Sequence, residues 1–374
     1  MDPRVAVQSN PEPMNPTSLR RRFVALTTLP LAWLMAMAPA TAAYAEAGET
    51  AIPVIIDTDP GTDDAMAILL ALASPELDVR AFTVVPGNVT APQALDNTLR
   101  LASLAGRCDI PIAAGARRPM AQRLITAEFV HGGNGLADVE LPESECEVDP
   151  RFAPDLIIDM VHAAPGEITL VPIGPLTNIA LAVLKDPAIV PLVKEVVIMG
   201  GSITEGNVTA VAEANIFNDP EAAQVVFDAG WKVTMVGLDV THRTNFGPSH
   251  LERLARTRGP QNDFATEVMS FLVDMAIEDF DAEGTAMHDQ LAIGVVIDPT
   301  FVRTRHMRID VETRGEFTRG QTVGNRYGYV ERNELEGDRL KMTGLDRVEP
   351  NAHVAVESEA ERFLSFFIDR IAGR

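Results

Sequence analysis

The chain is poor in cysteine, in basic residues and in apolar runs long enough to span a bilayer, and each shortage removes a class of protein. Two cysteines in 374 residues allow one bridge, so no disulfide framework can hold the fold. Cys108 and Cys146 either pair in an oxidising compartment or stay as two thiols. Lys and Arg number 31 against 53 Asp and Glu, a net charge of −22. Such a field repels phosphate backbones and argues against nucleic-acid binding; a neutral or cationic small molecule suits it better. With 46% hydrophobic and 22% charged residues, the chain is neither collagenous, low-complexity nor disordered.

The apolar run Phe23 to Ala38 has 16 residues and is broken by Pro30, against roughly 20 for a membrane span. It follows Arg20, Arg21 and Arg22 and precedes Ala43-Tyr44-Ala45, the order of a signal peptide with cleavage before Glu46. Leu19-Arg20-Arg21-Arg22-Phe23 resembles a twin-arginine signal, which exports proteins already folded. Residues 1–45 are therefore expected to be a leader, and the mature protein to be periplasmic or secreted, without lasting membrane association. Removing the leader's four Arg and two acids leaves 27 basic against 51 acidic residues.

What remains alternates between strand and helix. Val54-Ile55-Ile56 is an apolar run that ends in a turn, and Asp63 to Ala73 follows without Gly or Pro, which predicts strand, loop, helix. Similar units recur at Val79 to Val85 with Pro92 to Ala105, and at Ile168 to Pro172 with Leu176 to Leu184. Val196 to Met199, Pro220 to Ala229 and Val233 to Val236 continue the pattern. Long helices are expected at Phe264 to Asp279 and at Glu359 to Ile371, with Ser358 placed to cap the latter. No linker or internal repeat interrupts the chain after residue 50. These patterns predict one large Rossmann-like α/β domain over residues 46–374, its sheet mainly parallel and covered by helices on both faces. Ligands of such sheets bind beyond the carboxyl ends of the strands.

The strongest chemical signal lies at one of those ends, in Asp57-Thr58-Asp59-Pro60-Gly61-Thr62-Asp63-Asp64. Four carboxylates so close repel one another unless a cation lies between them, and a hard divalent ion, Ca²⁺ or Mg²⁺, prefers such oxygens. A blander reading has Thr62 capping the helix while Asp63 and Asp64 complement its dipole. Asp59, held before a Pro-Gly turn, favours metal. An EF-hand counted from Asp57 would need Gly and Glu where Thr62 and Ile68 stand. An Asp-x-Asp-x-Thr phosphotransferase motif meets Gly61 instead.

With these residues in view, the sequence resembles the nucleoside hydrolases, particularly the inosine-uridine preferring branch. Further motifs occur in the family's order: Val85-Pro86-Gly87-Asn88, His131-Gly132-Gly133-Asn134-Gly135, Val171 to Asn178, and Met199-Gly200-Gly201. Glu205 to Thr209, Ala212-Glu213-Ala214-Asn215-Ile216 and Met287-His288-Asp289 follow. The resemblance implies cleavage of the N-glycosidic bond of a ribonucleoside by water, with bound Ca²⁺. It implies that Asp59, Asp64 and Asp289 are carboxylate ligands and that Ile173 offers its carbonyl oxygen. Asp63, Asn207, Glu213, Asn215 and Asp289 would grip ribose hydroxyls, with Asn88, His131 and Met199 lining the pocket. Asp59 would be the base for the attacking water and His288 the proton donor to the departing base. The family also implies a homodimer or homotetramer.

The chemistry fits the residues. Loss of a base leaves an oxocarbenium-like sugar, which carboxylates and amide oxygens stabilise. Three departures concern substrate choice. Ala214 stands where many relatives carry an aromatic, Ile173 replaces a frequent Thr, and residues 274–285 are acidic with only Phe280 as a ring. They keep open a second reading, a non-catalytic calcium-dependent nucleoside or sugar binding protein on the same scaffold.

Overall fold

Strands form where apolar side chains alternate between two buried faces. In β1 (Ile52–Thr58), Val54 and Ile56 join one core while Ile55 joins the other. In β6 (Glu195–Met199), Val197 and Met199 face the first core and Val196 and Ile198 the second. The computed structural model describes residues 51–325 and 349–373. The expected leader, residues 1–45, lies outside the described residues, as does the side chain of Phe280.

Between β1 and β6 run β2 (Leu77–Val84), β3 (Ile112–Ala114), β4 (Val148–Asp149) and β5 (Thr169–Pro172). Beyond them come β7 (Val233–Val236), β8 (Asn245–Phe246), β9 (Thr285–Ala286), β10 (Val302–Met307), β11 (Ile309–Val311), β12 (Thr322–Gly324) and β13 (Ala352–Ser358). Nine of these make one sheet in the order β10-β13-β7-β6-β5-β1-β2-β3-β4. Every pairing in it is parallel except β10 with β13. The helices Thr62–Leu72, Ala91–Leu104, Pro260–Phe280, Asp289–Ile297 and Ala360–Ile371 pack on one face. Ala153–Ala163, Thr177–Lys185 and Pro220–Asp228 cover the other. This is the expected α/β architecture.

The strand order reverses at β1, whose neighbours are β2 and β5. The chain builds outward through β4, returns to the far side of β1, and builds outward again. Such a switch point opens a crevice at the carboxyl ends. Ile173 N–H donates to the Asp57 carbonyl at 2.8 Å, continuing the β1–β5 ladder to its carboxyl end.

Two local expectations change. Ser358 does not cap the last helix, because β13 continues through it in register with Val302. Its hydroxyl accepts from Thr244 Oγ1 at 3.0 Å, and Glu359 takes the cap position. Thr62 is the first helical residue rather than the cap, which is Gly61. Cys108 and Cys146 form a disulfide. Among the described residues, no helix is long and apolar enough to cross a membrane.

Candidate active site

Strand β1 delivers Asp59 to the crevice, and the following helix delivers Asp63 and Asp64 in its first turn. Asp64 organises the turn between them. Its Oδ1 accepts from Thr58 Oγ1 at 2.6 Å and from Asp59 N–H at 3.1 Å, and its Oδ2 from Gly61 N–H at 3.1 Å and Asn88 Nδ2 at 2.9 Å. Asp57, which the sequence left without a role, anchors the floor. It accepts from Thr83 Oγ1 at 2.6 Å and Asn178 Nδ2 at 2.8 Å.

Asp59 is fully buried, with Oδ2 accepting from Asn88 N–H at 2.6 Å. Its Oδ1 has no hydrogen-bond partner, and neither has Oδ1 of Asp63. Two glycines make room for this carboxylate. A Cβ on Gly87 would lie 2.1 Å from its Oδ2, and one on Gly174 2.3 Å from its Oδ1.

Asp289 opens the helix Asp289–Ile297 from the opposite side and is also buried. One oxygen each of Asp63, Asp64 and Asp289 lies within 4.8 Å of the others. Asp63, which the resemblance gave to the ribose, thus joins the cluster, while Asp59 borders it. Burial, then the neighbouring carboxylates, holds Asp59 and Asp289 well above the usual carboxylate range. Burial, then Asp63, raises Asp64 to about 7. Partnerless buried oxygens and mutually repelling carboxylates are what a hard divalent cation relieves, and the donor set is all oxygen. The residues fit such an ion.

The cluster forms one end of a cavity of about 270 Å³. Asp63, Asn88, Ile173, Met199 and Asp289 line it, and so do His131, Asn207, Glu213, Asn215 and His288. Ten of the residues singled out in the sequence therefore share one wall system, with Asp59 and Asp64 beneath it. Glu213 caps the short helix Ala214–Asn218, accepting from Asn215 N–H at 2.8 Å, Ile216 N–H at 3.1 Å and Gly201 N–H at 2.9 Å. Burial still raises its pKa. Asn215 Nδ2 donates to the carbonyls of Ile173 at 2.8 Å and Met199 at 3.2 Å. Asn207 sits at the rim, its Oδ1 accepting from Ala214 N–H at 3.0 Å.

The two histidines are held differently. His131 Nδ1 lies 2.7 Å from Thr62 Oγ1 and 3.8 Å from Asp63, and burial lowers its pKa against the pull of that carboxylate. His288 Nδ1 lies 2.9 Å from Thr241 Oγ1. Burial pushes it down to about 4, only partly offset by Asp63.

Residues 54–365 match the family of inosine-uridine preferring nucleoside hydrolases. The chain belongs to this family. The inosine-uridine preferring nucleoside hydrolase of Crithidia fasciculata is 44% identical over 274 residues, which is 73% of this chain and 87% of that one. A pyrimidine-specific ribonucleoside hydrolase of Photobacterium profundum is 41% identical over 315 residues, 84% and 99% of the two chains. Among solved structures, a plant nucleoside hydrolase superposes with a TM-score of 0.78 at 37% identity, over 86% of this chain and 99% of that one. A purine-preferring ribonucleoside hydrolase from Gardnerella vaginalis gives 0.76 at 34%, over 86% and 98%. The protein is an N-ribosyl hydrolase of ribonucleosides, in a family that depends on a metal.

The hydrolase cavity also has walls that the sequence did not reveal. Phe129, 81% exposed, stands at its mouth on the short helix Glu128–His131, with Val130, Phe217 and Asn218 nearby in the lining. Ala214, which the sequence had singled out, lines it as well. Phe129 lies two residues before the His131-Gly132-Gly133 motif, but its place over the cavity depends on a loop tied back by Ala127 N–H to the Asn88 carbonyl at 2.8 Å.

Proposed function

We propose that this hydrolase uses calcium, that it acts on nucleosides outside the cytoplasm, and that Asp59 is its base. The observation that carries the reading is the group Asp63, Asp64 and Asp289, with oxygens mutually within 4.8 Å, at the end of a cavity ringed by Asn207, Glu213 and Asn215. A bound calcium would supply charge neutralisation and orient the attacking water and the ribose hydroxyls.

The chain's own groups do the rest. Asp63, Asp289 and the open lone pairs of Glu213 accept hydrogen bonds from the ribose hydroxyls, while Asn207 and Asn215 fix its orientation. These carboxylates stabilise the positive charge that develops on the sugar as the base departs. Asp59 Oδ1, buried and partnerless, takes the proton of the attacking water. His288 passes the departing base the proton that balances the one Asp59 gains from the water. The Cys108–Cys146 bridge supports export, since such bonds persist in oxidising compartments. A homodimer or homotetramer remains part of the proposal, to be measured by light scattering.

Release of reducing sugar from a nucleoside panel, with and without chelator, tests the reading. Calcium-restored turnover in wild type and none in Asp59→Ala is the expected result. Turnover that ignores chelator removes calcium, and equal activity of the two proteins removes Asp59 as base. Tight nucleoside binding without sugar release would instead favour the binding-protein reading.

A further inference from the structure

Besides the groups given to ribose, the cavity lining holds a polar side chain with nothing to do. Asn218 lines the cavity, is 9% exposed, and its Oδ1 is buried without a hydrogen-bond partner. Folded proteins pair the great majority of buried polar atoms, so an orphan beside a binding cavity calls for a partner from outside the chain.

Its position says which part of a nucleoside that partner belongs to. Asn215 and Asn218 lie three residues apart on the helix Ala214–Asn218 and so share a face. Asn215 holds the carbonyls of Ile173 and Met199 at the ribose end. Asn218 lies about 4.5 Å further along the axis, away from the Glu213 cap. The same cavity is lined by the apolar side chains of Phe129, Phe217 and Val130, as suits a flat ring.

The backbone around Asn218 is clamped, so the amide is presented rather than adrift. Gln122 Nε2 donates to the carbonyls of Phe217 at 2.6 Å and Asn218 at 2.8 Å. The next residue, Asp219, is fully buried and accepts from Thr177 Oγ1 at 2.6 Å and Met120 N–H at 2.9 Å.

We propose that Asn218 reads the nucleobase: its amide oxygen accepts an N–H from the edge of the base remote from the sugar. The substrates it favours are ribonucleosides whose base carries such a donor, as the ring N–H beside a carbonyl in uracil and hypoxanthine. A site built to bond an N–H rejects the analogue that lacks it. The assignment rests on the ribonucleoside hydrolase reading, and its test separates the two.

The measurement is kcat/KM of the calcium-supplied enzyme for uridine and 3-methyluridine, inosine and 1-methylinosine, and 4-nitrophenyl riboside, whose leaving group has no N–H. Wild type should prefer the unmethylated member of each pair it hydrolyses by about tenfold or more. In Asn218→Ala and Asn218→Leu that preference should collapse to within about threefold, and the ratio of nucleoside to 4-nitrophenyl riboside should fall about tenfold. A wild type indifferent to methylation, or parallel losses on every substrate in both variants, overturns the assignment while leaving the hydrolase reading intact. A wild type that releases sugar from none of the substrates refutes both.

Discussion

Asn88 N–H donates to Asp59 Oδ2 at 2.6 Å, while Oδ1 of the same carboxylate, equally enclosed, accepts nothing. One oxygen is fixed and the other stands open, as the proposed base requires. Asp59→Asn keeps the shape and removes the basicity. It should lower kcat by about 10² to 10⁴ with unchanged circular dichroism. A variant within threefold of wild type would move the base elsewhere.

Gly87 and Gly174 enclose that carboxylate. A methyl at either position would sit 2.1 Å or 2.3 Å from an Asp59 oxygen and must displace it. Gly87→Ala and Gly174→Ala should each reduce kcat at least about tenfold, since small misplacements at a reacting centre are costly. Steady-state kinetics beside melting curves separates this from simple unfolding.

Protonation of the floor links metal to stability. Asp57 is raised to about 7 by burial, which outweighs its bonds to Thr83 and Asn178, and Asp64 reaches about 7 as well. A carboxyl raised from 3.8 keeps, when folded, a proton that the unfolded chain has released. Its contribution is complete below about pH 4 and is lost as pH rises through about 7. With chelator present, Tm should therefore fall between pH 5 and pH 8. Calcium should raise Tm more at pH 8 than at pH 5, because protons no longer compete with it. Thermal shift assays check both signs, and a calcium effect independent of pH would contradict them.

Cys108 and Cys146 are 38 residues apart in sequence, and closing such a loop stabilises by about 2–4 kcal/mol in the chain-entropy view. Cys108→Ser with Cys146→Ser, or added reductant, should lower Tm by several degrees. kcat should change little, since the bridge supplies no cavity wall. Differential scanning calorimetry of oxidised and reduced protein is the check.

Phe129 offers a ring at the mouth of the cavity. Phe129→Ala should raise KM about tenfold, in line with the loss of one base-stacking contact, and change kcat less. A fall in kcat at constant KM would show instead that the ring acts only in the transition state.

Much of this was legible in the sequence, for physical reasons that vary by element. Strands β1, β5, β6 and β7 are largely buried on both faces and read as apolar runs, and β2 departs from that at Asp78 and Arg80, so their positions agree with the pattern to within a few residues. Strand β10 is hidden from such a reading because Arg303, Thr304, Arg305 and His306 are exposed along an edge, where charge prevents unwanted pairing. Strands β3 and β4, of three and two residues, are too short to show a period. The carboxylates were legible because repulsion makes four acids in eight residues conspicuous. Phe129 and Asn218 were not, since an exposed ring and a lone amide gain meaning only when distant loops bring them to one cavity.

The reversal of strand order at β1 has a consequence for the life of the polypeptide. Asp64 and Asp289 are 225 residues apart in sequence, and neither alone completes the carboxylate cluster. A chain that ends before Asp289 lacks one carboxylate of the cluster. Assembly of the cluster therefore waits until residue 289 has been made and its helix has packed against Thr62–Leu72.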